Sequence, residues 1–387
     1  MASWILRYDK LDDDQKEIVN LELDSNIWIS GFAGSGKSVI LVHRAIELLR
    51  KKPNAKIVLL VFTQSLVDMF KTGLTRLGHS EIEVKTIYDF MNGGSVYDYV
   101  FCDEVQDFTQ SMIDEVKHRT RYNIYVAGDK FQSIYEKDVR YGERTIDTQV
   151  LSRTFETKTL KKIYRLTRSI INAVNSFLPS MKLATEGKPD ATKVDVQIML
   201  CKCAGKREEA RYVYNKTERQ VRNNERTAVL FPNHKACIEF ANFVLDVNGK
   251  PQWNEVVNRY GKPDFAALNR HLSSNGIKLM YIGNGYGKLE TAEDKGIAVM
   301  MTYHSSKGLD FENVYLPFAS HDMFITYDAE RDKTIFMVAM SRSSKNLTIT
   351  YSNQLYHHVV AFKDKCTEVT PNAPKTTTNQ NDDPWGW

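Results

Sequence analysis

The sequence predicts an α/β protein of two lobes, each built around a mostly parallel sheet. Three observations lead there. The chain has 387 residues, more than one hydrophobic core usually serves. Short apolar runs recur with helical or mixed stretches between them, as parallel strands covered by helices require. The runs fall into two series, with a helical stretch between them at 160–178. This gives a first lobe over 1–150, a second over 151–365 with a small insertion around 240–292, and a disordered tail over 366–387.

The first series is "NIWIS" (26–30), "KIVLLVF" (56–62), "YVFCD" (99–103) and "NIYVAGD" (123–129). The second is "VQIML" (196–200), "TAVLF" (227–231), "GIAVMMT" (296–302), "NVYLP" (313–317) and "LTITY" (347–351). In 160–178, Ile163, Leu166, Ile170, Ala173, Val174 and Phe177 recur at helical spacing and offer one face to a sheet. The segment 240–292 mixes Gly, Asn and aromatic residues and reads as a surface elaboration. The tail is rich in Thr, Asn and Pro without periodicity, and its DDPWGW tip sets acid beside Trp385 and Trp387, a candidate docking point for a protein partner.

Hydrophobic content of 42% and charged content of 26% exclude a fibrous or wholly disordered chain. A net charge of +4 is only mildly basic, so any nucleic-acid binding has to come from local grooves. Five cysteines lack zinc-type spacing; Cys201 and Cys203, on one face of a strand, read as buried thiols. The opening "MASWILRYDKLDDDQ" is charged where a secretory segment is apolar, which points to a reducing, cytoplasmic setting. No run approaches the ~18 apolar residues of a membrane span.

The chemistry begins at "GFAGSGKS", which follows the first apolar run and precedes a helical pattern. Gly31, Gly34, Ser35 and Gly36 let the backbone curl so that its amides converge on phosphate oxygens, Lys37 adds charge there, and Ser38 is placed to ligate magnesium. Downstream, "FCDEVQD" sets Asp103, Glu104 and Asp107 behind another apolar run, where crowded carboxylates need a cation. Asp103 at the strand end can hold magnesium carried in by a nucleotide, and Glu104 can polarise an attacking water. An ordinary glycine turn, or an acidic helix start, explains either motif alone but not the pair.

The spelling of "DEVQD" followed by "VAGDKFQSIY" (126–135) resembles the UvrD/Rep-like superfamily 1 helicases, in a compact form lacking the large inserted subdomains. The resemblance implies two RecA-like P-loop NTPase lobes with the ATP site at their interface. "LDDDQKEIV" (11–19) is similar to a motif that sets Gln15 against adenine, and "LVHRAIELL" to one that brings Arg44 near the base. "LKKIYRLTRSI" resembles the motif whose tyrosine stacks on adenine and whose arginine reaches the γ-phosphate, here Tyr164 and Arg165. "MMTYHSSKGLDFENVYLP" (300–317) and "IFMVAMSRSSKNLTITY" (335–351) bring Asp310 to the nucleotide and Arg342 as a second arginine finger, with Gln132 sensing the γ-phosphate.

The same resemblance assigns single-strand contacts to Phe62, Thr63 and Thr86, to which the stacking and backbone contacts of single-strand tracking add Tyr88, Tyr135, Thr302 and His304 as candidates. It implies an ATP- and magnesium-dependent single-stranded DNA translocase or helicase running 3′ to 5′, with RNA left open as the track. The alternative is a nucleic-acid-stimulated motor or switch ATPase that does not unwind alone and serves a nuclease, repair, replication or antiviral-defence complex. Three positions depart from the pattern. Ile163 stands where Asn is usual, Asp310 replaces Glu, and the aromatic expected just beyond Tyr135 is absent.

Overall fold

The computed structural model describes residues 4–22, 24–129, 132–138 and 140–371. The DDPWGW tip lies outside them. The first sheet contains β1 (Ile27–Gly31), β2 (Ile57–Val61), β3 (Glu83–Thr86), β4 (Tyr99–Cys102), β5 (Ile124–Gly128) and β6 (Glu156–Leu160). Its order is β3-β2-β4-β5-β1-β6, parallel throughout. Alternate residues of a strand face opposite sides. Ile27 and Ile29 therefore join one core with Ile40, Leu41 and Leu48 of the helix Lys37–Lys51, while Trp28 joins the other with Met112 and Val116 of the helix Gln110–His118.

The second lobe carries a short pair, β7 (Lys162–Ile163) with β8 (Lys188–Pro189). Its main sheet contains β9 (Ile198–Lys202), β10 (Thr227–Phe231), β11 (Leu279–Tyr281), β12 (Ala298–Thr302), β13 (Phe311–Leu316), β14 (Ser343–Tyr351) and β15 (Cys366–Val369). The order is β11-β12-β10-β13-β14-β9-β15, again all parallel. In each lobe the parallel strands collect their carboxyl ends on one edge, where ligand crevices form. In the first lobe, β5 separates β1, which leads into the phosphate loop, from β4, which leads into Asp103. These are two RecA-like lobes.

Four expectations change. The first lobe reaches past residue 150, because β6 pairs with the open side of β1; its polar, largely exposed sequence "ETKTL" hid it. The second lobe reaches into the expected tail, because β15 pairs with β9. The segment 240–292 is not peripheral: β11 belongs to the main sheet, and Phe265, Leu268 and Leu272 of the helix Phe265–Ser274 share a core with Val229 and Phe231. The helix expected over 160–178 begins only at Arg168, where the Thr167 side chain accepts the Ile170 amide, and Ile163 is instead a strand residue. Cys201 and Cys203 are both buried, as expected, with their sulfurs 3.9 Å apart. Among the described residues no helix is long and apolar enough to cross a membrane.

Candidate active site and nucleic-acid interface

The phosphate loop turns through Gly34 (φ 74°) and Gly36 (φ 88°), conformations that disfavour a side chain. Space imposes the same choice. A Cβ on Gly36 would lie 2.5 Å from Gln15 Nε2, and one on Gly34 would lie 2.5 Å from Arg165 Cβ. The second lobe touches the loop directly, since the amides of Tyr164 and Arg165 donate to the Gly34 carbonyl at 2.9 and 3.3 Å. Lys37 Nζ donates to the Gly31 and Phe32 carbonyls at 2.9 and 3.0 Å, which fixes the ammonium inside the loop. Gly31 and the fully buried Ser35 do not line the cleft.

Ser38 Oγ donates to Asp103 Oδ2 at 2.6 Å. The other Asp103 oxygen is buried with no hydrogen-bond partner. Burial and the charge of Glu104 push Asp103 well above the ordinary carboxylate range. A hydroxyl beside a desolvated, half-satisfied carboxylate fits a hard cation such as magnesium, which takes oxygen ligands. Glu104 sits at φ 53° and accepts from Gln106. Burial alone would raise its pKa, but Lys307 and Lys37 hold it below the usual range, so it is ionised at neutral pH.

A cleft of about 260 Å³ opens in front of these groups. Its first-lobe wall includes Gln15, Lys37, Ser38, Glu104 and Gln132, and its second-lobe wall Tyr164, Arg165, Asp310 and Arg342. Arg342 is 1% exposed; it donates to the Val338 and Leu309 carbonyls at 2.9 and 3.1 Å and to Ser341 Oγ at 2.8 Å. Burial and neighbouring Arg165 lower its pKa to about 9, still cationic at neutral pH. Asp310 is held by Arg226 at 3.1 Å. Gln132 Nε2 and Arg165 Nε are buried without hydrogen-bond partners. Asp12 ties Gln15 to Tyr164: it accepts from the Tyr164 hydroxyl and forms a capping box with Gln15.

Arg44 lies elsewhere. Its guanidinium is buried under the helix Asp13–Asn20, donating to the carbonyls of Ile18, Val19, Leu21 and Glu22 and lying 4.5 Å from the Tyr125 ring centre. With those donors spent on the end of the helix that carries Gln15, Arg44 does not line the cleft.

A second opening, about 820 Å³, runs across both lobes at the carboxyl ends of their strands. Phe62, Thr63, Thr86, Tyr88, Tyr135, Thr302 and His304 all line it. Phe62 lies 5.1 Å from Tyr135, which lies 6.1 Å from His304, forming a row of rings from the first lobe to the second. Thr63 and Thr86 cap the helices Gln64–Arg76 and Ile87–Asn92. Tyr88 is the exception as a stacking surface: only 8% is exposed, and Arg140 covers its ring at 3.8 Å.

Two family sequence models match the chain: "Viral superfamily 1 RNA helicase core domain" over residues 27–204 and "UvrD-like helicase C-terminal domain" over 278–354. In both lobes the chain is thus similar to helicase domains, of superfamily 1 in the first and UvrD-like in the second. A curated relative, the F-box DNA helicase protein 1 of Schizosaccharomyces pombe, is 28% identical over 168 residues, covering 42% of this chain. The chain spans 18% of that relative's length. Among solved structures, an Arterivirus nonstructural protein 10 (helicase) overlaps 87% of this chain and 61% of its own at 13% identity, with a TM-score of 0.43. A PRRSV helicase overlaps 88% and 54% at 13% identity, with a TM-score of 0.42.

Some side chains at this site are not marked in the sequence. Lys307 is buried; its Nζ donates to Asp107 Oδ2 at 2.5 Å and to the Gln132 carbonyl at 2.6 Å, and stands 3.9 Å from Glu104. A signal existed, because three carboxylates in "DEVQD" exceed what one magnesium ion engages, and the third required its own cation. Lys193 also lines the cleft, with Arg165 and Asp310 as charged neighbours. Nothing in "DATKVD" marks it.

Proposed function

We propose that the chain binds a magnesium–ATP complex between its lobes, hydrolyses it, and uses lobe closure and opening to step along single-stranded nucleic acid. One observation carries the reading: the two walls of the nucleotide cleft come from different lobes, Lys37, Ser38, Glu104 and Gln132 on one side and Tyr164, Arg165 and Arg342 on the other. Groups divided in that way act together only when the lobes approach, so hydrolysis and motion are linked.

In this reading Gln15 and Tyr164 hold the base, the loop amides and Lys37 hold the phosphates, and Ser38 and Asp103 hold the cation. Bound magnesium would neutralise charge on the phosphate oxygens. Glu104, kept ionised, orients the attacking water and takes its proton. Gln132 aligns the γ-phosphate, and Arg165 and Arg342 offset the charge growing there in the transition state. The ring row from Phe62 to His304 gives bases a sequence-tolerant surface.

Single-stranded DNA as the track, 3′-to-5′ polarity and a reducing, cytoplasmic setting follow the resemblance and composition given above. RNA is the other track; the two matched names, a DNA helicase and an RNA helicase core, divide on it. A second reading, a motor that does not unwind alone, is favoured by the way 265–281 is absorbed into the second lobe, its helix packed on the core and β11 in the main sheet, which removes it as a separate wedge for splitting a duplex. ATP turnover with and without single strands, beside displacement of strands bearing 3′ or 5′ overhangs, tests both. Stimulated turnover with displacement supports the helicase; stimulation without displacement selects the auxiliary motor; no turnover overturns both.

A further inference from the structure

We propose that Arg140, stacked on Tyr88, is a base-stacking and phosphate-contacting residue at the first-lobe end of the groove, with Tyr141 beside it. The inference deepens the single-strand reading above and rests on it.

The Arg140 guanidinium carbon lies 3.8 Å from the Tyr88 ring centre, and Phe62 meets the same ring edge-on at 5.5 Å. Tyr88 therefore has no open face for a base. A guanidinium is planar and weakly hydrated, and it stacks on both sides. Arg140 itself is exposed, lines the groove, and makes no ion pair with a described residue. An exposed guanidinium can receive a base on the face away from Tyr88, while its N–H edge can donate to a phosphate oxygen.

The arrangement is built in advance. Asp138 is 2% exposed, and one of its oxygens accepts the Tyr88 hydroxyl at 2.5 Å. The other accepts the backbone amides of Arg140 and Tyr141, both at 2.8 Å, and the Asp138 carbonyl accepts the Gly142 amide at 2.9 Å. A single buried carboxylate thus fixes the ring and the backbone from which the guanidinium departs. Tyr141, 49% exposed, lies 6.3 Å from Tyr88 and extends the surface outward. An arginine that merely closed the loop would need neither this double anchoring nor an open outer face.

The test is fluorescence anisotropy with labelled dT and U homopolymers across a salt series, using wild type, Arg140→Ala and Arg140→Lys, with folding checked by circular dichroism. Arg140→Ala is expected to bind roughly tenfold more weakly. Its salt dependence should lose about one phosphate contact. Arg140→Lys should keep the wild-type salt dependence but remain weaker, because an ammonium carries the charge without the plane. Loss on both polymers, or on one alone, supports the stack and identifies the polymer. If wild type binds and Arg140→Ala binds equally well, or Arg140→Lys matches wild type, the inference is overturned and the single-strand reading stands. If wild type binds neither polymer, both fall.

Discussion

Lys307 of the second lobe donates to Asp107 of the first at 2.5 Å, and both side chains are almost wholly buried. The same ammonium reaches the carbonyl of Gln132 and faces Glu104, so one side chain joins the lobe seam to groups proposed to surround the γ-phosphate. Removing one partner of a buried pair leaves an uncompensated charge, which costs about 3 kcal/mol or more. Lys307→Met should therefore lower stability by about that amount in urea titrations. It should also lower ATP turnover more than it lowers nucleotide affinity. Wild-type stability and turnover would remove this ion pair from the account.

Asp107 also gives the protein a defined pH response. Burial, working against Lys307, pushes its carboxyl up to about 6. In the unfolded chain the same group ionises near ~3.9. Between those values the folded chain keeps a proton on this group that the unfolded chain has released, so the Asp107 contribution to stability falls as pH rises from about 4 to about 6 and then levels off. The effect is up to roughly 3 kcal/mol. Urea titrations of wild type and Asp107→Asn across that range check it: the stability difference should shift against wild type with rising pH, and a flat or opposite trend refutes it.

Ser38 and Asp103 share a 2.6 Å hydrogen bond in the position proposed for magnesium. Ser38→Ala removes one oxygen and leaves Asp103 still less satisfied. The magnesium concentration for half-maximal turnover should rise about tenfold or more, within the range seen when metal-site oxygens are lost. Titrating magnesium at saturating ATP reads this directly. An unchanged midpoint would place the cation elsewhere.

Phe62 and Tyr135 lie 5.1 Å apart at the centre of the ring row. Replacing either with Ala should weaken single-strand binding by about 1 to 3 kcal/mol and do so for any base composition. Anisotropy with mixed and homopolymeric strands measures it. A loss restricted to one base would mean edge recognition in place of stacking.

What could be read from sequence was what neighbours in sequence decide. β1, β2, β4, β5, β9, β10, β12, β13 and β14 announce themselves as apolar runs because both faces of each sheet are covered. β6 and β15 do not, because edge strands have exposed, polar faces. The phosphate loop is legible because its glycines, Lys37 and Ser38 are contiguous. Lys307 with Asp107, Tyr164 with Asp12, and Tyr88 with Asp138 are not, because each bond closes over a long stretch of chain. Arg44 shows the opposite failure: its place in a motif suggested the base, whereas the carbonyls of a helix end engage it.

The central claim is that the second lobe completes the hydrolytic site, and turnover by Arg342→Ala, measured beside binding of a fluorescent ATP analogue, tests it most directly. The account predicts a fall in turnover of about a thousandfold or more with nucleotide affinity largely kept. Turnover near wild type in a folded Arg342→Ala protein would contradict it.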